Sequence, residues 1–200
     1  MSRHVAVALL TVAASQSAAA SQPAAPPRVV QEVDLQRYAG TWYEIARLPN
    51  RFQRACVSDV TATYALQPDN RIAVTNRCRQ SDGNMREARG VARRVEGRPP
   101  SVLKVRFAPA ILSFLPMVWG EYQIIELGAD YDYAVVGTPD RSYLWILARR
   151  SEMEPTLYRR VIDGARAEGF DVSALVTTAH RRPGELPSSA PDSAARKPQE

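Results

Sequence analysis

Between residues 40 and 147 the sequence alternates apolar and polar residues with a period of two, in short segments such as 60–64 and 103–107. This period is typical of strands with one buried face, because successive side chains point to opposite sides of a sheet. Turn-forming residues separate the segments at 68–70, 81–84, 97–100, 128–130 and 139–141. The pattern therefore predicts a series of short β-strands joined by hairpins.

The turns delimit eight strands, at about 40–48, 57–66, 71–79, 86–95, 102–108, 119–127, 131–137 and 143–148. A sheet of eight such strands can remove its exposed edges by closing into a barrel. Apolar residues then recur at helical spacing between Pro155 and Gly169, which predicts a helix over 155–168. The predicted fold class is all-β, an eight-stranded antiparallel up-and-down barrel with this helix packed outside. Residues 170–177 could add a short extra strand.

The two ends of the chain differ from this pattern. Residues 1–20 carry Arg3 and His4, then an uncharged apolar run, then Ala18, Ala19 and Ala20, which is typical of a secretory signal cleaved after Ala20. Residues 183–200 are rich in Pro, Ser, Ala and charges and are expected to be a disordered tail. We expect a linker at 21–32 and one folded domain at 33–182.

The main prediction for cellular location is that the chain is exported. Apart from the signal, no stretch approaches the ~18 uncharged apolar residues that a membrane-spanning helix needs. A lipid-anchored bacterial protein would need cysteine at the cleavage point, and residue 21 is serine. We therefore expect a soluble periplasmic or secreted protein rather than one attached to the outer membrane.

The charge of the chain argues against nucleic acid as a partner. The net charge is +5, but Arg3 leaves with the signal, and the chain from Arg181 onward carries four basic and three acidic residues. This leaves +3 for residues 21–180, spread along the strands. A basic patch with aromatic or helical readers, which nucleic-acid binding requires, is not visible. A weak attraction to anionic lipid surfaces remains open.

Three motifs resemble those of the lipocalin family: Gly40-Thr41-Trp42 at the first strand, Ala129-Asp130-Tyr131 before the seventh, and the segment 143–149, which ends in arginine. The similarity is greatest to the bacterial outer-membrane lipocalins and apolipoprotein D. The resemblance implies a barrel that binds one small hydrophobic ligand, with no cofactor and no catalysis. It also implies structural roles for Gly40, Trp42, Asp130, Tyr131 and Arg149, with Arg149 packed over Trp42 at the closed end. The second motif has Ala129 where threonine is usual.

Strand alternation then suggests which side chains line the cavity. If Arg149 points inward, the inward residues of the last strand are Tyr143, Trp145 and Leu147. On the fifth strand Lys104 and Arg106 point outward, so Leu103, Val105 and Phe107 point inward. Tyr64 and Tyr122 complete the predicted lining. Such a lining favours an acyl chain, as in a fatty acid or lysophospholipid. The alternative is that these aromatic residues fill a solid core.

The segment 108–119 is unusually apolar for a connection between two strands. It contains Ile111, Leu112, Phe114 and Leu115, and no charged residue lies between Arg106 and Glu121. Exposed apolar loops usually mark interaction surfaces. We interpret it as a lid or a membrane-touching lip of the barrel. The alternatives are a loop that packs on its own barrel, or a surface for a partner protein.

The cysteine and histidine residues limit the kinds of catalysis and metal binding that this chain can support. An oxidising compartment favours a disulfide between Cys56 and Cys78; two separate thiols are the alternative. The histidines are His4 and His180, outside the predicted strands, which argues against histidine-based catalysis and against metal sites. The remaining enzyme hypothesis is a lipid isomerase or reductase that uses Cys56 as nucleophile, with its thiolate stabilised by Arg51 or Arg54.

Overall fold

A computed structural model describes residues 25–181, so the predicted signal and C-terminal tail lie outside the described residues. The strands form one antiparallel sheet in the order β2-β3-β4-β5-β6-β7-β8-β1-β9, and β1 also pairs with β2. This second pairing closes the sheet into a barrel. The predicted fold class, an eight-stranded antiparallel barrel with one C-terminal helix, is confirmed, with β9 added.

The bounds of the strands agree with the turn signals to within two residues. They are β1 Gly40–Arg47, β2 Ser58–Leu66, β3 Ile72–Arg79, β4 Met85–Arg94, β5 Val102–Arg106, β6 Gly120–Leu127, β7 Tyr133–Gly137, β8 Leu144–Ala148 and β9 Val176–Thr177. The short helix α1, Leu35–Tyr38, lies at the start of the barrel, and Asp34 caps it by accepting hydrogen bonds from the backbone N–H groups of Gln36 and Arg37. The sequence pattern did not predict α1.

Two apolar clusters occupy the two sides of the barrel wall. The inner cluster fills the lower barrel with residues such as Trp42, Leu103 and Ile124. The outer cluster lies between the wall and the second helix, α2, and includes Ile146 and Val161. On β8 the outer cluster takes Leu144 and Ile146 while the inner cluster takes Trp145 and Leu147, as period-two alternation requires.

Helix α2, Pro155–Ala167, confirms the predicted helix. Its N-terminus is capped by Glu154, whose carboxylate accepts a hydrogen bond from the backbone N–H of Leu157 at 2.9 Å. Its C-terminus is followed by Gly169, which has a φ of +87° and so adopts the left-handed conformation that ends many helices. The apolar face of α2 packs on the outside of the barrel, where Val161 and Ala165 are fully buried.

The C-terminal segment 176–181 enters the wall between β1 and β2. β9 pairs with the end of β1, and the backbone N–H of Asp59 on β2 donates to the carbonyl of Ala179 at 2.9 Å. His180 therefore belongs to the barrel, where its ring lies 5.4 Å from the ring of Tyr43 and its Nε2 is 2.8 Å from the carbonyl oxygen of Glu44. His180 lies outside the strands, as expected, but it packs on β1, because the segment that follows β9 completes the wall, which the alternation does not show.

Residues 25–32, predicted to be a linker, pack against the barrel, and Val30 lies against the inner cluster. The backbone N–H of Val30 donates to the carbonyl of Ile124 at 3.0 Å. Arg28 forms an ion pair with Glu168 near the end of α2, at 2.7 Å. Neither α-helix within residues 25–181 has the length and apolar content needed to cross a bilayer.

Candidate ligand-binding barrel

The closed end of the barrel is sealed by Arg149 and Trp42. The guanidinium carbon of Arg149 lies 3.9 Å from the centroid of the Trp42 ring. The same guanidinium donates hydrogen bonds to backbone carbonyls in three places: to Thr41 on β1, to Tyr131 in the β6–β7 turn, and to residues 37–39. This arrangement ties the end of β8 to α1 and β1, and it is the pairing that the motif resemblance implies.

Gly40 and Tyr131 complete this end. Gly40 has a φ of +97°, and a Cβ there would lie 3.3 Å from a guanidinium nitrogen of Arg149, so a side chain would be strained and crowded. The hydroxyl of Tyr131 accepts a hydrogen bond from the backbone N–H of Asp34 at 2.9 Å, and the Arg37 guanidinium lies over its ring. Asp130 lies exposed in the turn.

Above the closed end, the hydroxyl groups of three buried tyrosines form the floor of the barrel interior. Tyr64 and Tyr122, predicted as wall residues, face the interior but lie low in the barrel against Tyr38. The Tyr122 hydroxyl is hydrogen-bonded to those of Tyr38 and Tyr64. Burial raises the pKa of Tyr64 to about 12 and raises those of Tyr38 and Tyr122 well above their ordinary value. The three hydroxyls are neutral at physiological pH and satisfy one another.

The remaining predicted lining residues lie between the level of Tyr122, which pairs with Leu103, and the rim of the open end. Leu103 and Leu147 are buried in the inner cluster, and Val105 and Trp145 are partly exposed beside it. The ring of Tyr143 stacks on that of Trp145 at 5.8 Å between centroids. Phe107 is half exposed at the rim of the open end, where a Cβ on Gly90 would lie 2.7 Å from its ring.

A buried polar network beside Trp145 was missed by the sequence analysis. Glu44 is on β1 opposite Leu147, so it faces inward, and it is only 2% exposed. Its carboxylate accepts hydrogen bonds from Arg47 at 2.7 Å, Thr178 at 2.6 Å and Gln53 at 2.6 Å. The Trp145 indole N–H donates to the side-chain oxygen of Gln53 at 2.9 Å. Alternation from Trp42 could have identified Glu44 as an inward carboxylate.

The sequence comparisons are consistent with this geometry and extend it. The profile of the family described as "Lipocalin-like domain" matches residues 33–180. The chain belongs to the lipocalin family. It is 40% identical over 152 residues to temperature-induced lipocalin-1 of Arabidopsis thaliana, covering 75% of this chain and 81% of that protein. It is 38% identical over 154 residues to outer membrane lipoprotein Blc of Escherichia coli K12, covering 76% and 83%.

Proteins of lower sequence identity also match this chain over most of its length. Apolipoprotein D of Mus musculus is 29% identical over 178 residues, covering 85% of this lipocalin and 88% of that protein. The solved structure of lobster apocrustacyanin A1 is 16% identical, with a TM-score of 0.58, covering 79% and 92% of the two chains. That of insecticyanin from the tobacco hornworm Manduca sexta is 18% identical, with a TM-score of 0.56, covering 78% and 85%. The solved structures support the fold alone. Lipocalins bind small hydrophobic ligands, and this lipocalin has the barrel that such binding uses.

The two cysteines of this lipocalin are joined. Cys56, in the β1–β2 connection, is bonded to Cys78 on β3. The predicted disulfide is present, and the alternative of two separate thiols is wrong. Because a bonded sulfur offers no thiolate, the hypothesis of a Cys56 nucleophile stabilised by Arg51 or Arg54 is also wrong. Among residues 25–181, no group of three His, Cys, Asp or Glu side chains is arranged to hold a metal ion.

The 108–119 loop of this lipocalin has a fixed inner side and an exposed outer side. Leu112 and Leu115 are half-buried, whereas Ile111 and Phe114 are 79% and 75% exposed. The loop is held at its base by Trp119, whose ring has the guanidinium groups of Arg93 and Arg106 at 4.4 and 5.2 Å. Arg106, expected to be an outward charge, is on the outer face of β5 but only 6% exposed, because it lies beside Trp119 and donates to the carbonyls of Ala108 and Pro109.

Proposed function

We propose that this lipocalin binds and carries one acyl lipid, a fatty acid or a lysophospholipid, in the cell envelope. The observation that carries the proposal is the distribution of exposed apolar side chains. Apart from Val176 on β9, all large apolar side chains that are strongly exposed within residues 25–181 lie at the open end of the barrel: Phe52, Val57, Met85, Phe107, Ile111, Phe114 and Met117. They come from the β1–β2 connection, the start of β4 and the β5–β6 connection, all at the open end.

The interior supports an elongated apolar ligand. Below the mouth the side chains of the inner cluster are aromatic and aliphatic, and Trp145 and Val105 are only partly buried against it. The hydrogen-bonded tyrosine floor closes the interior below these side chains. An apolar space with a few polar groups is typical of sites for lipids rather than for sugars or nucleotides.

The apolar mouth supports collection of the ligand from a membrane. Ile111, Phe114 and Met117 protrude from the β5–β6 loop, and Arg51 and Arg54 are exposed on the β1–β2 connection of the same open end. Apolar side chains flanked by cations suit the surface of an anionic bilayer. A lipid leaving the bilayer there would enter the barrel without crossing water.

The proposed location is the periplasm or the extracellular space. It rests on the signal-like residues 1–20 and on Ser21 at the expected cleavage point. Blc, by its name, is a lipoprotein of the outer membrane. We propose that the present protein works in the same envelope as a soluble carrier.

Ligand titration followed by tryptophan fluorescence tests the proposal. The purified protein is titrated with oleate and with oleoyl-lysophosphatidylcholine, and displacement of a bound apolar dye is recorded in parallel. We expect saturable one-to-one quenching that persists in Trp119→Phe, because Trp119 lies outside the barrel, and that is lost in Trp145→Phe. Absence of quenching and of dye displacement with both lipids would contradict a lipid carrier and favour a protein partner at the 108–119 loop.

A further inference from the structure

The first turn of β4 places an arginine on the inner side of the barrel at its open end. Strands β3 and β4 pair without a shift in register, so Ile72 lies opposite Ala92 and Cys78 lies opposite Arg86. Ile72 and Ala92 belong to the inner cluster, and an even number of residues separates them from Cys78 and Arg86 on their strands. Arg86 is therefore on the inward register of β4, because side chains alternate along a strand.

Arg86 is a cation without an acidic partner within residues 25–181. The adjacent residue, Glu87, is on the outward register and forms ion pairs there with Arg77 and Arg89. Glu44, the buried carboxylate of the interior, is occupied by the hydrogen bonds described above. The Arg86 guanidinium is exposed to solvent, so its charge is available to a ligand at the mouth.

The inner side of β4 changes from apolar to cationic toward the mouth. The side-chain direction of Gly90 is covered by the ring of Phe107, since a Cβ on Gly90 would lie 2.7 Å from that ring. Ala88 follows on the same inward register, and Arg86 is the next inward residue. Going outward, a ligand beside β4 would therefore meet an aromatic ring, a methyl group and then a guanidinium, which is the order of polarity in an acyl chain that ends in an anion.

We propose that Arg86 binds the anionic group of the acyl lipid, a carboxylate or a phosphate, and selects anionic acyl lipids over neutral esters and glycerides. The planar guanidinium presents donors in a fork that matches the oxygens of both anions. At the mouth the anion keeps part of its hydration while the acyl chain lies in the apolar interior. This inference rests on the proposed function and narrows its ligand.

The interior disfavours the reverse orientation, with the anion at the bottom of the barrel. The floor consists of tyrosine hydroxyls that already bond to one another. The buried cation of the interior, Arg47, is paired with Glu44 at 2.7 Å. An ionised group placed there would lose its hydration without gaining a free cation, which is costly. The anionic end of the ligand is therefore expected at the open end, on the side of Arg86.

Affinities of four probes with the same acyl chain, measured by displacement of an apolar dye, test the subsite: oleate, 1-oleoyl-lysophosphatidic acid, methyl oleate and 1-oleoylglycerol. We expect the two anionic probes to bind about fivefold more tightly than the two neutral ones, as one exposed ion pair would produce. In Arg86→Gln this preference should disappear while methyl oleate binds as before. The matched control is Arg89→Gln, which removes the same charge from the outward register of β4 and should keep the preference.

The possible outcomes separate the two proposals. Equal affinities for all four probes, a preference that survives Arg86→Gln, or the same loss in Arg86→Gln and Arg89→Gln would each overturn the subsite and leave the lipid carrier standing. A preference that depends on Arg86 but is confined to one anionic probe supports the subsite and assigns its anion as carboxylate or phosphate. Failure of every probe to bind would overturn both proposals.

The salt dependence of binding gives a second measurement. Because Arg86 is exposed, its attraction to an anion is screened by salt. We expect the preference for oleate over methyl oleate to shrink as sodium chloride is raised, while the affinity for methyl oleate does not weaken. A preference that is independent of salt would contradict an ion pair at the mouth.

Discussion

The hydroxyl oxygens of Tyr38 and Tyr122 lie 2.6 Å apart in the floor of the barrel, where both side chains are buried. Burial there disfavours the phenolate form, so the folded protein holds these protons more tightly than the unfolded chain does. The stability of the barrel therefore depends on pH in the alkaline range, where tyrosine loses its proton.

We predict that stability falls as the pH rises above 10. Burial raises the pKa of Tyr64 from its ordinary value of 10.0 to about 12. A raised folded-state pKa means that the contribution of this group is fully present below pH 10 and is lost as the pH rises from 10 toward 12. For Tyr64 alone the loss is roughly 3 kcal/mol. Urea denaturation at pH 8, 10 and 11 follows about the first half of this loss, and Tyr64→Phe should flatten the profile; a profile unchanged by that substitution would contradict the assignment.

Loss of Arg149 should destabilise the fold without changing ligand preference. Arg149→Met removes a cation–aromatic contact with Trp42 and leaves backbone carbonyls at the closed end without their donor. We expect the free energy of unfolding to fall by about 3 kcal/mol. Arg150→Met is the matched control, because Arg150 is the exposed neighbour, and chemical denaturation compares the two. Equal effects of both variants would show that the contacts of Arg149 at the closed end make no specific contribution to the free energy of unfolding.

Removal of the disulfide should weaken both stability and binding. The bond joins cysteines separated by 22 residues, and closing a loop of this length stabilises a folded chain by about 3 kcal/mol. It also holds the carbonyl of Cys56 next to Arg47. We expect Cys56→Ser with Cys78→Ser to lower the denaturation midpoint and to weaken binding of oleate, because the β1–β2 connection at the open end is no longer tied to β3. Mass measurement with and without reductant verifies that the wild-type bond is present, and an unchanged denaturation midpoint in the double variant would contradict the stabilising role of the bond.

Replacing the protruding apolar residues should reduce membrane association. Ile111→Ser, Phe114→Ser and Met117→Ser together remove side chains that are 79%, 75% and 87% exposed and therefore support little of the core. We expect binding to anionic vesicles to fall about tenfold or more while the denaturation midpoint stays within a few degrees. Val176→Ser is the control, because Val176 is 45% exposed but lies on β9, away from the loop. Vesicle flotation compares the triple variant with the control. Unchanged flotation of the triple variant would refute the interpretation of the 108–119 loop as a membrane-touching lip.

Much of this architecture is predictable because strands and turns leave local signals. The bounds of β1 and β2 follow from the turn residues, and the placement of Trp145 and Leu147 inside follows from period two. The inward position of Arg47 does not follow from the period-two alternation, because the register of β1 shifts between Glu44 and Ala46 and changes which residues face inward. The burial of Arg106 depends on Trp119, a contact across two strands that no local pattern contains.

The C-terminal segment in the wall has a consequence for how the chain folds. Thr177 pairs with Ala46, 131 residues earlier, so the gap between β1 and β2 is filled only by nearly the last part of the domain to be synthesised. Pairings of such long sequence separation form slowly, because the cost of closing a large loop precedes the gain from contact. Until then Glu44 lacks the hydroxyl of Thr178, and an edge of the sheet is open to pairing with other chains. We infer that nascent or truncated forms of this chain are the aggregation-prone ones, and that completion of the wall is the late, committing step of folding.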